Sequence, residues 1–307
     1  MRRLGLWTFL LVAALTRAAW GQVSVEVVQE QRQFLPGESM AVAVRITNRS
    51  GRTLHLGAEA DWLTFTIEDR QGRSVPRNGE VPVIGEFDLE SSKVATKRVD
   101  LAPYFALTEP DHYILVATVR IKGLEHETLS PPKEFDLING ARLWEQEFGL
   151  PQSGGGNATP EVRKYILQQA NYLKGQIRLY LRITDSSGGR TFRVFPIGPM
   201  LSFSRPEPQI DGVSRLHLLY QNGPTTFSYS VFNPEGEVLL RQTFDYVGAR
   251  PRLSADAAGN IAVMGGARRF APTDIPTPVT PETIDSATTN APAPAAPSDE
   301  VKTPQKP

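Results

Sequence analysis

From residue 23 to about residue 138, apolar residues alternate with polar ones, the period of strands buried on one face. Residues 40–46 show it most clearly. Met40, Val42, Val44 and Ile46 share one face and Ala41, Ala43 and Arg45 the other; Pro36-Gly37-Glu38 before and Asn48-Arg49-Ser50-Gly51 after are turn chemistry. Leu63, Phe65 and Ile67 repeat the pattern and end at the turn Asp69-Arg70-Gln71-Gly72. Tyr113, Leu115, Ala117, Val119 and Ile121 make a third strand, and residues 23–28, 94–101 and 135–138 are weaker candidates. Short strands punctuated by Pro and Gly predict an antiparallel β-sandwich over residues 22–140.

Residues 141–175 read as a linker. Trp144 and Phe148 lead to the flexible stretch Gln152-Ser153-Gly154-Gly155-Gly156-Asn157, and Thr159-Pro160-Glu161 then has the form of an N-cap, a first-turn proline and an acidic first turn. Val162, Ile166, Ala170 and Leu173 follow at helical spacing, predicting one amphipathic helix over residues 160–174. Alternation returns over residues 176–271, a second antiparallel β domain. Arg178-Leu179-Tyr180-Leu181 and Arg215-Leu216-His217-Leu218 stand 37 residues apart, each followed by a Thr-Phe pair that opens another strand, Thr191-Phe192 and Thr226-Phe227. A third, broken copy runs over residues 252–263. Residues 272–307 hold nine prolines and no aromatic residue, the composition of a disordered tail.

Two stretches resemble the immunoglobulin-like modules of bacterial exported proteins: Phe34-Leu35-Pro36-Gly37-Glu38 leading into a strand that ends Ile46-Thr47-Asn48, and Leu107-Thr108-Glu109-Pro110-Asp111-His112-Tyr113 leading into another. The second resembles a tyrosine corner, whose hydroxyl returns to upstream backbone. The Cys and Trp pattern of antibody-type domains is missing, so the resemblance implies a fold and no activity. Asp256-Ala257-Ala258-Gly259-Asn260-Ile261-Ala262-Val263 resembles the unit of bacterial β-propeller repeats. About 95 residues hold two to three blades where closure takes at least four, so the expectation is a small open sheet or sandwich with propeller-like hairpins.

Residues 1–21 have the form of a cleaved export signal: Arg2 and Arg3, an apolar run from Leu4 to Leu15, and Ala19-Trp20-Gly21 before Gln22. That run is too short for a membrane anchor, which takes about 20 residues. The chain has no cysteine, hence no disulfide and no lipidated thiol. An exported chain without disulfides fits a bacterial periplasm or exterior. Without the leader it carries 30 basic and 33 acidic residues, a formal charge of −3, which argues against nucleic acid as a partner.

No catalytic, cofactor-binding or metal-ligating residue is assigned. There is no Gly-x-Ser-x-Gly elbow, no His-Glu-x-x-His and no phosphate-loop spacing of glycines. His55, His112, His126 and His217 are scattered. Glu125-His126-Glu127 is the one local cluster of ligand types, and it reads as a solvated turn. Glu86, Asp88 and Glu90 fall on one face of a strand and read as an outer face that discourages edge pairing. Glu59, Asp61, Glu68 and Asp69 read as loop acids around a core Trp62, and Asp256 as a turn residue. The expected function is therefore a non-catalytic exported protein that binds or scaffolds an envelope protein or polymer. The competing readings are an enzyme with its site at the cleft between the β domains, drawing on Asp61, His126 or Asp256, and a proteinase inhibitor with residues 70–76 as bait.

Overall fold

A strand with one apolar face needs neighbours on its edges and a second layer over that face, and the described residues of this chain, mainly β, meet both needs with sheets. The computed structural model describes residues 23–122, 127–150, 161–172 and 175–275. The predicted leader, the Gly-rich stretch at 154–156 and residues 276–307 of the predicted tail lie outside the described residues.

The N-terminal half contains β1 (Val23–Gln29), β2 (Gln33–Phe34), β3 (Ala41–Asn48), β4 (Leu54–Leu56), β5 (Leu63–Asp69), β6 (Phe87–Leu89), β7 (Val94–Asp100), β8 (His112–Val119), β9 (Thr128–Leu129) and β10 (Lys133–Leu137). One sheet has the order β1-β3-β7 and a second the order β2-β10-β8-β5, with β9 on β8. All pairs are antiparallel except β2 with β10. β4 and β6 form a separate two-stranded sheet. Alternation becomes burial: Val42, Val44 and Ile46 of β3 share one core with Phe65 and Ile67 of β5 and with Leu115, Ala117 and Val119 of β8. Trp62 is buried, its indole N–H donating to the Val83 carbonyl at 3.0 Å. The Tyr113 hydroxyl donates to the Glu109 carbonyl at 2.8 Å, as expected of a tyrosine corner.

The C-terminal half contains β11 (Ala141–Gly149), β12 (Val162–Tyr172), β13 (Gln176–Asp185), β14 (Thr191–Met200), β15 (Glu207–Ile210), β16 (Leu216–Gln221), β17 (Thr226–Phe232), β18 (Val238–Asp245), β19 (Arg252–Ala255), β20 (Ile261–Met264) and β21 (Ala267–Arg269). Three antiparallel sheets result: β11-β12-β13-β14, β15-β16-β17-β18-β21 and β19-β20. They stack face to face. Leu179, Leu181 and Ile183 of the first meet Leu216, Leu218 and Phe232 of the second. The other face of the second, with Leu219, Tyr229 and Val231, packs on Leu253, Ile261 and Val263 of the β19-β20 pair. The three copies of the sequence repeat are the successive hairpins β13-β14, β16-β17 and β19-β20.

The fold is mainly β, as the alternation predicts, but no linking helix is present among the described residues. The segment expected to form it is β12, hydrogen-bonded to β11 on one edge and β13 on the other. Its buried pair Tyr165 and Leu167 stand two apart, the strand period, and of the helical set Val162 is exposed, Ile166 half-buried and Ala170 buried. Val, Ile and Tyr fit a pleated surface well, and two waiting strand edges outweigh a helix too short to be stable alone. The predicted tail also begins too early. Asp274 pairs with Arg268 at 2.8 Å and Ile275 bridges Arg241, so residues 272–275 pack on the β18 side of the sheet.

The tight hairpins share one chemistry. Asp69, Asp211 and Asp256 each accept through Oδ1 the N–H groups two and four residues on, at 2.8–3.1 Å. The fourth residue has positive φ: Gly72 at 75°, Ser214 at 64°, Gly259 at 82°. Asn233 with Gly236, φ 79°, builds a fourth such turn against the core. A Cβ on Gly236 would lie 2.9 Å from Ile183 Cδ1 and 3.0 Å from Phe195 Cε1, whereas one on Gly72 would meet nothing within 4 Å. Gly72→Ala should therefore cost the left-handed backbone strain alone, about 1–2 kcal/mol. Gly236→Ala should add roughly 1–3 kcal/mol of overpacking. Chemical denaturation of the two variants checks this, and equal losses would contradict the packing at Gly236.

Candidate functional site

The two halves meet where the Phe34-Leu35-Pro36-Gly37-Glu38 turn docks on the outward face of β12, β13 and β14. Only Ile138, Asn139 and Gly140 separate β10 from β11. Side chains on β13 alternate: Leu179, Leu181 and Ile183 fill the core inside, so Arg178, Tyr180 and Arg182 point outward to the turn. Leu35, 1% exposed, packs there against Ala170, Tyr180, Val194 and Ile138.

A network of polar groups surrounds Leu35. Glu38, 4% exposed, accepts the Leu35 N–H at 2.8 Å on one carboxylate oxygen and the Gln31 amide at 2.7 Å on the other. Arg178 donates to Gln31 at 3.3 Å and lies 3.6 Å from the centroid of the Tyr172 ring. Arg182 crosses the joint to the Pro36 carbonyl at 2.7 Å and is steadied by Gln168 at 3.0 Å and Thr191 at 3.3 Å. Burial raises the Glu38 carboxyl above its ordinary value, against the pull of the Leu35 N–H, Gln31 and Arg178. Burial and the nearby Glu38 charge push the Tyr180 phenol up to about 12, against the pull of the Arg178 guanidinium beside it. Beside the joint lies a groove of about 470 Å³, lined by Pro36, Gly37, Asn78, Phe105, Leu107 and Arg182.

A second polar cluster lies on the outward face of β16. His217, 7% exposed, has Nδ1 2.7 Å from the Tyr229 hydroxyl and Nε2 3.1 Å from Asp211 Oδ2, which also accepts the Arg215 guanidinium at 2.7 Å. Burial lowers the His217 pKa, with Asp211 opposing, so the imidazole is neutral. The network then assigns the ring N–H to Nε2, facing Asp211, and the lone pair to Nδ1, taking the Tyr229 hydrogen. Both nitrogens are engaged, so His217 ties Asp211 and its turn to β17 and has no lone pair free to take a substrate proton. Asp211 is pulled up by burial yet held below its ordinary value overall by N–H donors from Arg215, His217 and Val213. The wall of a hollow of about 350 Å³ between the 211–215 and 256–260 turns includes His217.

Other residues singled out from sequence stay apart. His55 pairs with Asp88 across β4 and β6, and Glu86 and Glu90 are exposed. His112 meets Asp136 at 2.8 Å. Arg120 joins Asp61 to Glu127, while Glu125 and His126 lie outside the described residues. Asp256 serves its turn. The segment proposed as bait is a hairpin: Gly72 and Val75 N–H groups bond back to Asp69 and Ile67 at 2.9 and 2.8 Å. Among the described residues, no group of three or more His, Asp or Glu could hold a metal ion. Sequence reasoning missed Glu38, Arg178, Arg182 and Asp211. Arg178 and Arg182 alternate with Leu and Ile as in a strand buried on one face, so nothing in the sequence marks the layer that covers them, and Glu38 and Asp211 lie in turns.

Two outcomes follow. Glu38 has a raised folded pKa, so its contribution to stability is full below the unfolded value of 4.5 and lost as pH rises through the folded one. In urea unfolding across that window, wild type should lose stability relative to Glu38→Gln as pH rises; parallel curves would refute the buried charge. His217 has a lowered folded pKa, so its contribution is present above 6.5 and lost as pH falls. Its ring proton should titrate below 6.5 by NMR, and lower still in Asp211→Asn, since Asp211 raises it.

No family model matches the sequence, and no curated protein matches it. Among solved structures, the chain is similar to Spo0M, a sporulation control protein from Bacillus subtilis, at 10% identity and a TM-score of 0.29, over 71% of this chain and 80% of that one. A likeness that slight assigns neither a fold nor an activity.

Proposed function

We propose that this chain is an exported, non-catalytic protein that binds or scaffolds a polymer or protein of the bacterial cell envelope. In this reading an immunoglobulin-like module spans residues 22–140 and a propeller-like module begins at residue 141. The first assignment is supported by the order β1-β3-β7 facing β2-β10-β8-β5, with a short early strand parallel to the last strand, and by the Tyr113 corner. The second is supported by sheets of sequential antiparallel strands stacked face to face, too few to close a ring.

The observation that carries the functional reading is the joint. Arg182 and Arg178, hydrogen-bonded across it, fix two β modules as one body, and such a body can hold surface loops in a constant geometry for a ligand. Catalysis asks for an acid, base or nucleophile with a free valence in a hollow, and the His217 cluster spends both ring nitrogens on its own fold.

Affinity capture from a native envelope fraction tests this, with residues 22–307 and 22–275 as the two baits. The same specific partner should be retained by both. Retention by the longer bait alone would transfer binding to the Pro-rich segment, and turnover of an envelope polymer by the purified chain at an enzymatic rate would overturn the reading.

A further inference from the structure

At the end of the C-terminal sheets opposite the Asp211 and Asp256 turns, three loops come together: residues 201–206 between β14 and β15, 222–225 between β16 and β17, and 246–251 between β18 and β19. Phe203, 78% exposed, walls two hollows at once. One, of about 460 Å³, also takes in Arg142, Trp144, Ser204 and Arg205. The other, of about 350 Å³, takes in Gln221, Phe227, Tyr246 and Arg250. Tyr246 and Val247 are 51% and 63% exposed, so ring and aliphatic surface continues along the rim. Exposed apolar surface gathered in one place marks an interaction site more often than scattered residues do.

Two further observations specify the ligand. Arg142 is paired with Glu145 at 2.7 Å, but Arg205 and Arg250 have no carboxylate partner among the described residues, and Arg250 lies 5.2 Å from the Phe227 ring centroid. These are cations open to an anion. Ser204 is only 7% exposed, lines the first hollow, and its hydroxyl has no hydrogen-bond partner among the described residues. A buried hydroxyl left unpaired is costly, and a ligand hydroxyl would supply its missing partner.

From this surface we infer that the rim is a binding site for an anionic, carboxylate-bearing glycan, an inference that rests on the envelope-binding reading above. Pyranose rings present apolar C–H faces to Phe203, Trp144 and Tyr246, hydroxyls to Ser204 and to the Gln221 carboxamide oxygen, whose amide nitrogen is held by the Gly223 and Pro224 carbonyls, and carboxylates to Arg205 and Arg250. An acidic peptide is disfavoured because peptides that bind β-proteins commonly pair with a strand edge, and this surface is made of connecting loops. Nucleic acid is disfavoured because two free cations neutralise too little phosphate.

The test is calorimetric titration of the chain from residue 22 with hexagalacturonate, its fully methyl-esterified form, an oligoglutamate and a single-stranded oligonucleotide. Hexagalacturonate should bind, and the neutral ester about tenfold more weakly. Phe203→Ala should weaken binding about tenfold, and Arg205→Ala and Arg250→Ala should each flatten its salt dependence. Ser204→Ala is the sharper variant. It should weaken binding severalfold while leaving the unfolding midpoint unchanged or raised, because it deletes an unpaired group.

No binding of hexagalacturonate by the wild type, undiminished binding by Phe203→Ala or Arg250→Ala, or equal binding of oligoglutamate or oligonucleotide would overturn the site. If hexagalacturonate fails to bind the wild type while envelope capture survives in a Phe203→Ala/Arg250→Ala double variant, the rim assignment fails and the envelope-binding reading stands.

Discussion

Strand β13 is buried on both faces, and each face holds a different half of the molecule. Inside, Leu179, Leu181 and Ile183 are fully buried against the neighbouring sheet. Outside, Arg178, Tyr180 and Arg182 receive the Leu35 turn of the N-terminal half. A one-residue slip in register would drive two arginines into the aliphatic core and leave three aliphatic side chains at a polar joint. Such an arrangement is tolerable only because each outward cation is hydrogen-bonded: Arg182 to Pro36, Gln168 and Thr191, and Arg178 to Gln31. Leu35 at the centre adds about 1.5–3 kcal/mol of apolar burial.

The same alternation recurs one sheet further on and gives the C-terminal half its layered character. In β16, Leu216 and Leu218 face the first sheet, while His217 and Leu219 face the β19-β20 pair. His217 thus occupies the place in its repeat that Tyr180 occupies in the earlier one: an outward polar ring buried by the next layer. At the joint the next layer is the N-terminal half, with a charged network; at His217 it is two strands and a turn, with a closed Tyr-His-Asp row. Because the sheets stack, the loops connecting them are brought together at one end, and this proximity produces the aromatic and arginine rim around Phe203.

Much of this was legible in the sequence. Period-two alternation located β3, β5 and β8 with their buried faces, and Tyr113 announced its corner. The repeat linking Arg178 to Arg215 located successive hairpins. What misled was residues 160–174, where Val162, Ile166 and Ala170 fit helical spacing as well as a strand can; the choice was made by the edges of β11 and β13, which lie outside the segment. The joint was illegible for a related reason. Glu38, Arg178 and Arg182 look like ordinary exposed charges until a partner module covers them, and a single sequence does not state which faces will meet. The turns are written in the sequence too, since an Asp or Asn followed three residues later by Gly, or by Ser214, recurs at Asp69, Asp211, Asn233 and Asp256.

The buried joint makes residues 23–275 one cooperative body and not two β modules on a hinge. In scanning calorimetry the chain from residue 22 should unfold in a single transition with equal calorimetric and van't Hoff enthalpies. Two separable transitions, one for each half, would contradict it.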